Sequence, residues 1–398
     1  MQTLDNPTDQ FTILPLIFRE TVTTLELSGP GLAHSLFSTF CIPLAFRRMQ
    51  PRHITLNGNM PIDPWLLNVV LKLVQLETLS LRFPNVARTV QKGVFIEAAQ
   101  KLNHLTSLTI DLHFSDCGHD PPNAETIESN QLLPNLQTFH TTSRRDGGKL
   151  CNCIYSPLMR KMTVLTLVDN SRTIEGDDYF EPMMATLLLM PHLSDLEVSG
   201  STPIMKMASI LPFCSRLSLH TFRVTVPQVA HRHHTPLAPI IDACFSNSHH
   251  GKGRRLLRYL SLPASMVDSG NFTYYYKVNL ECLSYVAKEA IGLERLDTGI
   301  DTSIPGGSLS RLLSRWKRGS PSKCTLRLLF IHDVRKPDNF NAQEYDNLAQ
   351  LLDLMFPQLE SIAPYKSPDA ADAMYWKSHW WFIEKLRKMY KELRSRHG

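Results

Sequence analysis

LETLSL at Leu76–Leu81 is the stretch on which the fold turns. Apolar side chains stand at its first, fourth and sixth positions, with polar ones between. LTSLTI at Leu105–Ile110 repeats the arrangement 29 residues later, and LSDLEV at Leu193–Val198 and LRYLSL at Leu257–Leu262 repeat it again. Weaker copies are VTTLEL from Val22, PRHITL from Pro51, LQTFHT from Leu136, MTVLTL from Met162, LHTFRV from Leu219, LERLDT from Leu293, LRLLFI from Leu326 and LESIAP from Leu359. The middle apolar residues are Leu25, Ile54, Leu79, Leu108, Phe139, Leu165, Leu196, Phe222, Leu260, Leu296, Leu329 and Ile362, at spacings of 25 to 38 residues. A strand sends alternate side chains to opposite faces. Each copy therefore reads as a short strand with its apolar positions turned inward.

Proline marks the approach to several strands. Pro134, Pro191 and Pro357 each stand five residues before the middle apolar position. Proline cannot donate the helical hydrogen bond and disfavours helix in the residue before it, so each unit reads helix, stop, strand. Asp63-Pro64 resembles an N-cap with proline at the first helical position, opening a helix to about Val74. Asn341 with Glu344 resembles a capping box, and Tyr345, Leu348, Leu352 and Met355 then share one helical face. Residues 180–190, 278–291 and 308–316 read as further helices.

The chain has 398 residues, 43% hydrophobic and 20% charged. One compact core rarely grows past roughly 250–300 residues, whereas a stacked array lengthens its core without thickening it. One unit cannot bury its own apolar face, so neighbours must stack. The expected architecture is α/β: a right-handed solenoid of about twelve irregular units over residues 1–372, with a parallel concave sheet, convex helices and a horseshoe form. A closed α/β sheet would not require the repeated pattern.

The strands, their proline stops and a period near 30 resemble the leucine-rich-repeat region of fungal F-box proteins, over Val22 to Tyr365. The resemblance implies a substrate-capturing surface, and a partner in the adaptor of a cullin-type ubiquitin ligase. Such proteins carry an N-terminal F-box. The residues before Val22 are too few for one, and Phe11–Phe18 reads better as the helix of the first repeat.

The expected protein-binding surface is the concave face. Its candidates are Arg82, Asp111, His140, Asp195, Glu197, Arg223, Tyr259, Arg295 and Asp297, around a central row of Thr55, Ser80, Thr109, Thr166 and Ser261. Small residues in that row let a partner approach the sheet, and Arg and Tyr are the expected hot spots. Taken singly, the same residues also read as solvated strand positions, with Thr chosen for its strand propensity.

Charge is concentrated at one end. From Met374 onward seven Lys/Arg stand against two Glu, which accounts for the whole formal charge of +5 and leaves the rest balanced. There Trp376, Trp380, Ile383, Leu386, Tyr390 and Leu393 recur at helical spacing. Residues 373–398 are expected to be a basic amphipathic helix capping the last repeat; the alternative is a surface for nucleic acid or anionic membrane.

A second basic segment, 227–256, holds His231, His233, His234, His249, His250, Lys252, Arg254 and Arg255, without the paired Cys/His spacing of a structural zinc site. The eight cysteines are scattered, with Cys151 and Cys153 the one close pair. With no secretory signal or apolar stretch long enough to span a bilayer, this points to the reducing cytoplasm or nucleus. HExxH, GxSxG and phosphate-loop motifs are absent. The expectation is a non-enzyme with no cofactor and no metal.

Overall fold

The structure is a computed structural model that describes residues 20–29, 42–58, 64–83, 90–91, 101–111, 114–115, 133–143, 161–169, 190–200, 219–225, 228–229, 257–262, 265–267, 273–275, 278–303, 308–333, 335, 341–365 and 376–397. Phe11–Phe18, Asp63, the Cys151/Cys153 pair, residues 180–189 and the histidine-rich segment from 230 lie outside the described residues. The chain forms two compact units, Met1–Leu193 with Gly200–Thr202, and Ser194–Ser199 with Pro203–Gly398.

The first unit contains β1 (Thr24–Ser28), α1 (Ile42–Met49), β2 (His53–Asn57), α2 (Pro64–Val70), β3 (Thr78–Arg82), β4 (Val90–Gln91), β5 (Ser107–Asp111), β6 (Phe114–Ser115), β7 (Thr138–Ser143) and β8 (Val164–Asp169). The second contains β9 (Asp195–Gly200), β10 (Thr221–Val224), β11 (Gln228–Val229), β12 (Tyr259–Ser261), β13 (Ser265–Val267), β14 (Thr273–Tyr275), α3 (Leu280–Glu289), β15 (Arg295–Ile300), α4 (Ser308–Arg318), β16 (Leu328–Asp333), α5 (Ala342–Met355), β17 (Ser361–Pro364) and α6 (Trp381–His397), the last entered through a π turn at Trp376–Trp380. The main sheet is parallel, open and 12-stranded, in the order β1-β2-β3-β5-β7-β8-β9-β10-β12-β15-β16-β17. Every middle apolar residue named from the sequence lies on one of these strands.

Register is the same from strand to strand. Leu25 pairs with Ile54, Ile54 with Leu79, Leu79 with Leu108, Leu108 with Phe139 and Phe139 with Leu165. In the second unit Leu196 pairs with Phe222, Phe222 with Leu260, Leu260 with Leu296, Leu296 with Leu329 and Leu329 with Ile362. These residues are buried; Ile54, Leu79, Leu165, Leu260, Leu296 and Leu329 are each 0% exposed. A slip of one residue would turn them all to the other face. Fully burying one such side chain stabilises by about 1.5–3 kcal/mol, so the apolar columns hold the register.

A common turn feeds the strands. The amides of Leu76, Leu105, Leu136, Leu193 and Leu359 donate to the carbonyls of Leu73, Leu102, Leu133, Met190 and Phe356 at 3.0–3.2 Å. The next amide donates to the corresponding carbonyl of the previous repeat, as Glu77 does to Arg52, Thr106 to Glu77, Glu294 to Arg258 and Glu360 to Arg327, each at 2.8 Å. Side chains extend the ladder: the hydroxyls of Thr106, Thr163 and Thr325 donate to the carbonyls of Glu77, Gln137 and Leu293 at 3.0–3.2 Å. Backbone groups at these turns are thereby satisfied, as buried polar groups must be.

The helices expected between strands are present where the chain is described. The α5 N-terminus carries the capping box read from the sequence: Asn341 accepts from the Glu344 amide at 2.9 Å, and the Asn341 amide donates to Glu344 at 3.1 Å. Leu348, Leu352 and Met355 of its predicted face are buried, together with Leu351. The second helix ends at Val70 rather than near Val74, because the amides of Lys72 and Leu73 bond three residues back to Val69 and Val70 in a tighter turn.

The last helix packs on α5. Trp380, Ile383 and Arg387 are each 0% exposed. Arg387 donates to the Leu359 carbonyl at 2.9 Å, Lys391 to the same oxygen at 2.9 Å, and Arg394 to the Asp353 carbonyl at 3.0 Å. The last turn of a helix leaves carbonyls without intrahelical donors; Arg394 meets one of these at the end of α5, while Arg387 and Lys391 meet the Leu359 carbonyl in the turn beyond it. Glu384 neutralises Arg387 at 2.7 Å.

Candidate partner-binding surface

The outward positions on each strand are the two that flank the middle apolar residue. In the first unit His140 holds such a position, and Arg82 and Asp111 stand on the same alternation, three residues past Leu79 and Leu108. Arg82 is exposed and is the register partner of Asp111. His140 is half-buried, between Thr109 on one side and Thr166 on the other. Ser80, from the small-residue row, is buried at 7% exposure.

In the second unit the predicted residues Glu197, Arg223, Tyr259, Arg295 and Asp297 form a connected network. Tyr259 and Arg295 stand directly opposite each other on β12 and β15. Two positions on, Arg223, Ser261, Asp297 and Phe330 form the next row across β10, β12, β15 and β16. Arg223 donates to Glu197 at 2.9 Å and through Nε to the Tyr259 hydroxyl at 3.0 Å, with Nη2 reaching the same oxygen. That hydroxyl donates onward to Asp297 Oδ2 at 2.8 Å. Arg295 completes the set with a two-pronged bond to Asp297, Nε to Oδ1 at 2.9 Å and Nη2 to Oδ2 at 3.1 Å. A phenol has one proton to give and two lone pairs to fill, so Tyr259 is saturated.

Rings and guanidinium groups stack through the same network. Arg223 lies 4.9 Å and Arg295 4.5 Å from the Tyr259 ring centre, and Arg295 also lies 4.1 Å from that of Phe330. Each such contact is worth about 0.5–1 kcal/mol at a partly exposed site. The two arginines keep about a third of their side-chain surface, 30% for Arg223 and 32% for Arg295. Asp297 is 5% exposed and Ser261 1%. Asp297 therefore anchors the two flanking groups, and the accessible chemistry is that of the arginines, Tyr259 and Glu197. Asp195, on the same row as Tyr259, accepts from Ser194 at 2.5 Å.

Tyr365, just past β17, was not among the sequence candidates. Its hydroxyl donates to the Leu262 carbonyl at 2.9 Å. Burial, with added repulsion from Asp297 and Tyr259, pushes its phenol up to about 12. Burial also raises Tyr259, with the hydrogen bond to Asp297 adding to it and that from Arg223 opposing it. For Arg223 burial works against the charge, but the bonds to Tyr259 and Glu197 outweigh it and its pKa lies above the ordinary arginine value. The guanidinium stays charged throughout any accessible pH.

Phe330 was likewise not a sequence candidate, although its place in the Arg223 row was legible in LRLLFI. Among the described residues no group of three His, Cys, Asp or Glu could hold a metal ion, and no helix is long and apolar enough to cross a membrane. No protein-family model matches the chain, and no curated protein sequence matches it.

Proposed function

We propose that this chain is a leucine-rich-repeat solenoid that recognises a protein partner on its sheet face, akin to the substrate-binding region of fungal F-box proteins. The observation that carries the reading is the Glu197–Arg223–Tyr259–Asp297–Arg295 network: half-exposed Arg and Tyr side chains held in place before any partner arrives. Pre-organised Arg and Tyr lose little freedom on binding and are the residue types that dominate interface energetics. The repeated register and the parallel strand order support the solenoid. The partner would be held by shape and mixed polar contact, with no bond made or broken.

The test is affinity purification of the tagged chain from its native cells at moderate salt, beside a variant carrying R223A, Y259A and R295A. A protein enriched by the native chain and lost with the variant is the expected result. Recovery of a cullin-ligase adaptor would add the ubiquitin-ligase link. Equal recovery of every enriched protein by both chains would remove the sheet face as the binding surface.

A further inference from the structure

The packing of α6 uses one side of that helix and leaves the other largely bare, with Phe382 making only an edge contact to the Tyr345 ring at 5.5 Å. Trp380, Ile383 and Arg387 face the body of the second unit. On the opposite side Trp381 is 54% exposed, Phe382 44%, Met389 44% and Leu393 43%, a concentration of large apolar surface beyond the scattered singles of an ordinary exterior. Leu386, half-buried, lies between them.

The spacing within this stripe is specific. Phe382, Leu386, Met389 and Leu393 follow one another at intervals of four, three and four, the alternation with which one helix seats against another. An antiparallel partner bearing the same stripe would place Leu386 beside Met389 of the second copy and Phe382 beside its Leu393. Two-fold symmetry then makes each layer recur reciprocally.

The charges flanking the stripe fit the same arrangement. Lys385 and Glu392, one heptad apart along one border of the stripe, are both exposed, and among the described residues neither is in an ion pair. In the antiparallel pairing Lys385 of one copy stands beside Glu392 of the other, twice over. The Lys385 ammonium lies 3.9 Å from the Trp381 ring centre, which positions its stem along that border.

We propose that α6 is a homotypic contact, through which two copies of this chain pair their terminal helices antiparallel along Phe382, Leu386, Met389 and Leu393. A patch of this size falls in the weak class of interfaces, with a dissociation constant on the order of 10 μM. The test is sedimentation velocity on the full chain from about 1 to 200 μM. The expected result is a reversible dimer that M389E abolishes. K385E and E392K should each weaken it about 5-fold or more, and the two together should restore it. A monomer across that range overturns the proposal, as does a dimer indifferent to M389E or a doubly exchanged chain weaker than either single variant. A monomer that instead binds phosphatidylserine vesicles, and loses that binding with W381A and F382A, would assign the stripe to a membrane surface and overturn the homotypic contact.

Discussion

The Tyr365 hydroxyl donates to the Leu262 carbonyl at 2.9 Å across a separation of 103 residues. It ties the residue after β17 to the residue after β12, with β15 and β16 between them in the strand order. The bond is buried, so the carbonyl has no water to replace the phenol if it is lost. Y365F should lower the unfolding free energy by about 1–3 kcal/mol, read as a lower midpoint in urea at neutral pH with an unchanged slope.

The same phenol sets a dependence on alkaline pH. Burial holds its proton up to about 12, against an ordinary value of 10.0. The folded chain thus keeps a proton that the unfolded chain has already lost. This contribution to stability is complete below about pH 10 and falls as pH rises from there to about 12, at up to about 1.4 kcal/mol per unit. Urea midpoints of the native chain and Y365F should run parallel from pH 7 to 9.5 and converge above pH 10. Parallel behaviour up to pH 11.5 would contradict the assignment.

Asp297 accepts from Tyr259 and twice from Arg295 while only 5% exposed. D297A leaves a half-buried phenol and a half-buried guanidinium without their acceptor and should cost about 1–3 kcal/mol. D297N retains an acceptor oxygen and should cost less. Thermal or urea unfolding of the two variants, ranked against the native chain, checks the order.

Arg223 joins Glu197 to the Tyr259 hydroxyl through three nitrogens of one planar group. Lysine carries the charge but not the fork. R223K should therefore weaken the partner recovered by affinity purification about 10-fold, close to the effect of R223A. Affinity near that of the native chain would show that charge alone suffices there.

Arg387 is 0% exposed and bonds Glu384 and the Leu359 carbonyl together. R387A removes the fork that joins Glu384 to Leu359, leaving the carboxylate only Lys388 at 3.5 Å and the carbonyl only Lys391, and should lower stability by about 1–3 kcal/mol. Hydrogen exchange should show the loss concentrated in α6 and the end of α5. Uniform exchange across the second unit would mean that α6 is not a locally held element.

Much of the fold was legible in the residues. Each middle apolar position falls on a strand of the main sheet, since burial of alternate side chains leaves its mark within six residues. The Asn341–Glu344 cap was legible for the same reason, because it closes within one helical turn. Tyr259, Arg223, Arg295 and Asp297 could be placed on the outward face by their offset from Leu260, Phe222 and Leu296. Their joining into one network could not. It depends on a diagonal reach between strands 36 residues apart and on the short Ser261 standing between Arg223 and Asp297 in the row.

By itself, then, the sequence determined the strand positions, their common register and which side of each strand turns inward. Those properties follow from local periodicity and from an apolar pattern that recurs every 25 to 38 residues. Only the tertiary structure decided that Asp297 would be an anchor rather than a contact, that Tyr365 would close over Leu262, and which side of α6 would be left largely bare. Each of those depends on where a side chain ends in space relative to a residue far away in the chain, and side-chain direction between distant elements leaves no period in the sequence.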